Sequence, residues 1–126
     1  MTANDARRFA LWQAYGRIGL GVTAFVAPRL PAAPWVGAGD ARRPSVTLMA
    51  RALGARDVAL GVGPVLAARH GAPVRGWVEA GGRADAGDLV ATLLEWRSLP
   101  RRTRWVMLAV IAGSLVTARL VAPSVD

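Results

Sequence analysis

Asp85 and Asp88 stand three residues apart in Ala84-Asp85-Ala86-Gly87-Asp88, a spacing that puts two carboxylates on one side of a helix. With Thr92 and Glu95 they fill an arc of about 80° at about 100° per residue. Carboxylates so placed can hold a divalent cation, share a proton or pair with arginine. Structural pairing with arginine is the favoured expectation, in a chain with 16 arginines. Asp85 and Asp88 are kept as weak metal candidates, and no cofactor is expected.

Other arrangements capable of chemistry are thinner, and no catalytic residue can be named. His70 is the one histidine, set in a Gly/Pro loop where solvation explains it, and the chain has no cysteine for a disulfide, thiolate or Cys-based metal site. Ser45, Ser98, Ser114 and Ser124 have no base beside them in sequence. Gly19-Leu-Gly21-Val-Thr-Ala24 fits a dinucleotide-type glycine pattern with Asp40 downstream. No β-branched strand precedes it, and Pro28, Pro31 and Pro34 exclude a βαβ unit. Membrane transferases that use Mg²⁺ with diphosphates have aspartate-rich motifs, but the further Asp, Gly and Asn of the CDP-alcohol phosphotransferase and prenyl transferase patterns are missing. An enzyme is therefore the less favoured expectation.

A second set of charges sits in Gly54-Ala-Arg56-Asp57-Val-Ala-Leu-Gly61, where two ionic residues interrupt a small apolar run. Neighbours on a helix point about 100° apart, so Arg56 and Asp57 should seek partners on different helices. A weak repeat relates Leu20-Gly-Val to Leu60-Gly-Val, and its register sets Arg17 opposite Asp57. The sequence thus predicts a buried charge network of Arg17, Arg56, Asp57, Asp85 and Asp88. Gly16, Gly19, Gly54, Ala55, Gly61 and Gly87 are expected to let the helices that carry it approach closely.

Four helices would have to position these residues, at about 8–29, 46–69, 73–96 and 103–122, in a single domain spanning 1–126. The proline-rich stretch from Pro28 to Pro44 is expected to be an irregular connector. Composition points to lipid. The chain is 53% apolar before its 14 glycines are counted, all 16 basic residues are arginine, and the formal charge is +8. Each predicted helix is long enough for the roughly 30 Å bilayer core. Trp77 and Trp96 bracket the third at a separation of about 28 Å, as aromatic belts would. The fourth, from Trp105 to Ala118, is apolar on every side. The third segment's charges oppose this picture at about 2.5–3.5 kcal/mol each near the bilayer centre, so they would need partners in a bundle. Arg7-Arg8 ahead of a weakly apolar stretch faintly suggests an export signal. Arg17 interrupts it and no cleavage site precedes Pro31, so a retained helix is expected.

The elements Arg51-Ala-Leu-Gly-Ala-Arg-Asp57, Leu60-Gly-Val-Gly63 and Ala84-Asp85-x-x-Asp88 resemble a family of small, uncharacterised four-helix integral membrane proteins of high-GC bacteria carrying a Gly-Ala-Arg-Asp motif. The resemblance covers about Arg17 to Trp96 and implies a helical membrane fold and no substrate. The expectation is an all-α, four-helix transmembrane bundle with short connections. It would be a multi-pass protein of the cell membrane, both termini outside, with the lipid bilayer as partner and a homo-oligomer or larger membrane complex as its assembly. Its charged centre would serve bundle integrity or the passage of solute or protons. One alternative is a membrane-embedded metal-dependent enzyme on lipid-linked substrates, using Asp85 and Asp88. Another is a soluble basic helical module binding nucleic acid. That second alternative is disfavoured because Arg7-Arg8, Arg42-Arg43 and Arg101-Arg102 lie between helices, and no helix face carries a basic stripe with interleaved aromatics; no nucleic-acid partner is expected.

Overall fold

The computed structural model describes residues 2–126. It is all-α, with helices α1 (Ala3–Val26), α2 (Arg29–Val36), α3 (Pro44–Arg69), α4 (Arg75–Leu94) and α5 (Arg101–Val121), and 3-10 turns at Asp40–Arg42 and Ala122–Ser124. Local chemistry sets most of these ends. A capping box starts α1, with Thr2 Oγ1 accepting from the Asp5 N–H and the Asp5 carboxylate accepting from the Thr2 N–H. Pro44 begins α3, where its missing N–H costs nothing. Gly71, at φ +67°, ends the same helix by taking a left-handed turn. The two carboxylate oxygens of Asp126 accept from the Val74 and Arg75 N–H groups and so cap α4.

Helix α2 corrects the expectation of an irregular connector after Pro28. Pro28 occupies the N-cap and Pro31 falls in the first turn, where N–H groups have no helical acceptor anyway. Pro34 alone removes an interior hydrogen bond, and a single loss is tolerated in a helix this short. The bundle therefore has five helices.

The four-span arrangement is overturned as well. Among the described residues one stretch, Arg101–Ser124, is long and apolar enough to cross a membrane. The helices α1, α3 and α4 have the length but not the apolarity, because each carries several charges and gives many of its remaining positions to the small residues glycine and alanine. Length was a poor guide here, and the transmembrane bundle, the multi-pass location, the bilayer as partner and the charged intramembrane centre are all withdrawn. The central ion pairs are all made within the chain, so the expected homo-oligomer or larger membrane complex is not needed to pair them, and that expectation falls with the bilayer. The aromatic belts also dissolve: the Trp96 and Trp105 rings meet edge to face at 5.3 Å, and the ring of Trp77 lies against Gly63.

Two antiparallel pairs make the body. In the first, α1 and α3 touch backbone to backbone along a seam of small residues. A Cβ added to Gly21 would lie 2.5 Å from the Gly54 carbonyl, and one added to Gly61 would lie 2.6 Å from that of Ala14. Gly16, Gly19 and Gly87 have no neighbour within 4 Å of such a Cβ, and Ala55 is exposed, so these four do not mediate close contact. In the second pair α4 lies along α5, with Gly82 facing Ala118. The two pairs are joined by a small apolar cluster at one end and through α2, which touches both α3 and α5, at the other. Ala6, Ala10, Val74, Val121 and Val125 form a cluster at one end. Ala32, Ala41 and Ala50 pack beneath α2 at the other. Much of the buried core is alanine, while larger side chains such as Trp12, Val26 and Leu94 stand outward.

Candidate functional site

Between the two pairs, halfway along the bundle, the charges meet. α1 supplies Arg17, α3 supplies Arg56 and Asp57, and α4 supplies Asp85 and Asp88. Arg17 Nη1 donates to Asp57 Oδ1 at 3.0 Å, and Nη2 donates to Asp85 Oδ2 at 2.6 Å. Arg56 grips Asp88 through both carboxylate oxygens, at 2.9 and 2.7 Å. This bidentate geometry makes the strongest common arginine contact. Arg56 Nη2 also reaches Asp57 Oδ1 at 3.4 Å, because its long side chain spans the angle between adjacent helix positions.

Ser114 on α5 joins the cluster by donating its hydroxyl to Asp85 Oδ2 at 2.5 Å. Sequence reasoning missed this residue, since a lone serine in an apolar helix has no sequence signal; only the pairing of α4 with α5 brings it in. The network thereby links four helices, and its arginines tie one helical pair to the other. Arg56 Nε is the one buried side-chain donor without a partner among the described residues.

Burial opposes the charge on Arg17, but hydrogen bonds and charge attraction from Asp85 and Asp57 outweigh it and hold the guanidinium above its usual range. The hydrogen bond to Asp88 does the same for Arg56 against a smaller burial effect. Both arginines are therefore fixed cations. Two of them face three aspartates, so the centre carries one negative charge in excess, and the chain's surplus of positive charge lies entirely outside it.

Asp85 and Asp88 are thus held by different arginines. No group of three or more His, Cys, Asp and Glu side chains among the described residues could enclose a metal ion. His70 lies at the exposed end of α3 with Nδ1 2.8 Å from the Leu66 carbonyl, far along the chain from the network. The glycines of the dinucleotide-like pattern are inside α1, Gly21 against Gly54.

A second charged feature lies at the end of the bundle where α2 sits. The connector after α2 and the one between α4 and α5 come together there, Gly37 beside Pro100. They bring Arg42, Arg43, Arg97, Arg101 and Arg102 to one pole, all exposed. The acidic groups at this end are Asp40, which pairs with Arg43 at 3.1 Å, and Glu95. Arg104 donates to the carbonyls of Leu99 and Arg97, and its guanidinium lies 5.8 Å from the Trp96 ring centre. Trp105 packs its edge against Trp96 yet is 66% exposed. An exposed indole therefore stands about one helical turn from Arg101 and Arg102 on α5. Reading each helix face singly could not reveal this pole, because connectors some sixty residues apart in sequence build it.

Comparison with protein-family models, with curated proteins and with solved structures yields no match. The resemblance drawn from the Gly-Ala-Arg-Asp element therefore has no family behind it, and its membrane implication falls with it.

Proposed function

We propose that this chain is a basic helical module that binds single-stranded nucleic acid at the pole formed by its two arginine-rich connectors. The proposal is one of binding, not catalysis. The observation that carries it is the exposed Trp105 ring, held edge to face on Trp96 and about one helical turn along α5 from the exposed Arg101 and Arg102. Single strands are held by this combination: cations along the phosphates and an aromatic face on which a base stacks, the stacking worth about 1–3 kcal/mol per base. The internal network supports the reading in a different way. Both buried arginines are taken up by aspartates, so the field of a chain whose formal charge is +8 is set by the arginines outside the centre.

Fluorescence anisotropy with a labelled oligothymidylate tests it. Binding should weaken with salt, with a log–log slope of about −3 if four arginines each neutralise a phosphate. Base stacking should quench tryptophan emission, and Trp105→Ala should lower affinity by at least about fivefold. Arg101→Ala with Arg102→Ala should flatten the salt slope by about 1.4. Absence of binding at low salt, or binding indifferent to Trp105→Ala, overturns the proposal.

A further inference from the structure

The charge network borders a cavity of about 910 Å³ between the two helical pairs. That volume suits a small organic ligand. Its walls are apolar through Leu20, Leu53, Leu60, Trp77, Val110 and Ile111, and its polar lining includes Arg17, Asp57, Asp85, Asp88 and Ser114. At one end α1 packs on Val74, Val121 and Val125, and at the other α2 touches both α3 and α5, while between these ends the arginine–aspartate bonds cross an open middle.

The excess negative charge has a definite place. Asp88 has Arg56 in a bidentate grip, whereas Asp57 and Asp85 share the single guanidinium of Arg17, each through one oxygen. Asp57 Oδ2 and Asp85 Oδ1 receive no donor from any described residue. Neither oxygen is sealed off, since Arg56 Nε is the one fully buried side-chain polar atom without a partner among the described residues, and both carboxylates line the cavity, so a ligand there can reach them.

We propose that the cavity binds a small, mostly apolar molecule bearing one protonated amine, with the ammonium hydrogen-bonded to the free oxygens of Asp57 and Asp85 and the hydrocarbon among the leucines. An ammonium supplies both the missing donors and the missing positive charge. A carboxylate ligand would meet an already negative centre, and a neutral alcohol would leave the charge uncompensated. The site is separate from the arginine-rich pole, so the two proposals stand or fall independently.

The test uses octylamine, octanol and octanoate as probes on the full chain, read by calorimetry and by the emission of Trp77 against a Trp77→Phe control. Octylamine should bind at least about tenfold more tightly than octanol, and octanoate should not bind measurably. Asp85→Asn and Asp57→Asn should each remove the preference for the amine while leaving octanol binding in place. Should either variant fail to fold, octyltrimethylammonium, which carries the same charge but no N–H to donate, should bind the unaltered chain at least about tenfold more weakly than octylamine. Equal binding of amine and alcohol, tighter binding of octanoate, no binding of octylamine, or equal binding of octylamine and octyltrimethylammonium would each overturn the proposal.

Discussion

Arg17→Met tests most directly what the network does for the fold. Arg17 reaches Asp57 at 3.0 Å and Asp85 at 2.6 Å, and the three side chains are only 19%, 15% and 11% exposed. Removing the guanidinium leaves two carboxylates facing the same space with little water to solvate them. Breaking a buried pair in this way costs about 3–5 kcal/mol. The Ser114 hydroxyl still donates to Asp85 and Arg56 still reaches Asp57, so the lower end, about 3 kcal/mol, is the expected value. For a chain of this length that corresponds to a fall in Tm of roughly 9–15 °C. Urea melts followed by circular dichroism should show the midpoint drop with the slope unchanged.

Replacing the whole triad, as Arg17→Met/Asp57→Leu/Asp85→Leu, should recover most of that loss, since a packed apolar centre avoids desolvating ions. The pH dependence follows from the raised arginine. A cation whose folded value lies above its unfolded one contributes fully below the unfolded value and loses that contribution only as pH rises past it. The cost of Arg17→Met should accordingly stay constant from neutral pH to about pH 11. Losses under about 1 kcal/mol that add simply across single and double variants would place these pairs with ordinary exposed ones and refute the reasoning.

The helix seam gives a prediction with opposite signs for the same substitution. Gly21→Ala should destabilise by about 1–3 kcal/mol, because its Cβ would run into the Gly54 carbonyl and the Val58 N–H. Gly16→Ala, facing open space in the same helix, should stabilise by up to about 1 kcal/mol, so losses from both in thermal melts would refute the seam. The chain has no cysteine, so single Val22→Cys and Val90→Cys variants report cleanly on α1 and α4, where both positions are exposed. Each should react in intact cells' lysate with a charged maleimide before any detergent is added, whereas protection of both, relieved by detergent, would restore the four-span arrangement.

What the sequence could reveal depended on how local each feature was. The helix-stop chemistry around Gly71 and Pro100 is local, and it separates α3 from α4 and α4 from α5 as written. The charges of the network were visible as interruptions of small apolar runs at Arg17, Arg56 and Asp57, and as the carboxylate spacing of Asp85 and Asp88. Their exchange of partners was not, because it depends on how two helical pairs face each other. Ser114 enters only through that pairing. Helix α2 was hidden because prolines in a first turn look identical in sequence to prolines that break a helix. The solvent assignment failed for a different reason. Glycine and alanine fill α1, α3 and α4 to the length of a membrane span, but they do so to let backbones touch, as at Gly21 and Gly54, and not to present a large apolar surface. Small residues serve close packing in water and in lipid alike, so their abundance carries no information about the solvent. The arginine-rich pole was missed by the converse error of searching single helices for a patch that two connectors assemble. In a chain whose helices are built from small residues, side chains that carry chemistry gather where elements cross or end, and those are the places that periodicity along one helix describes least.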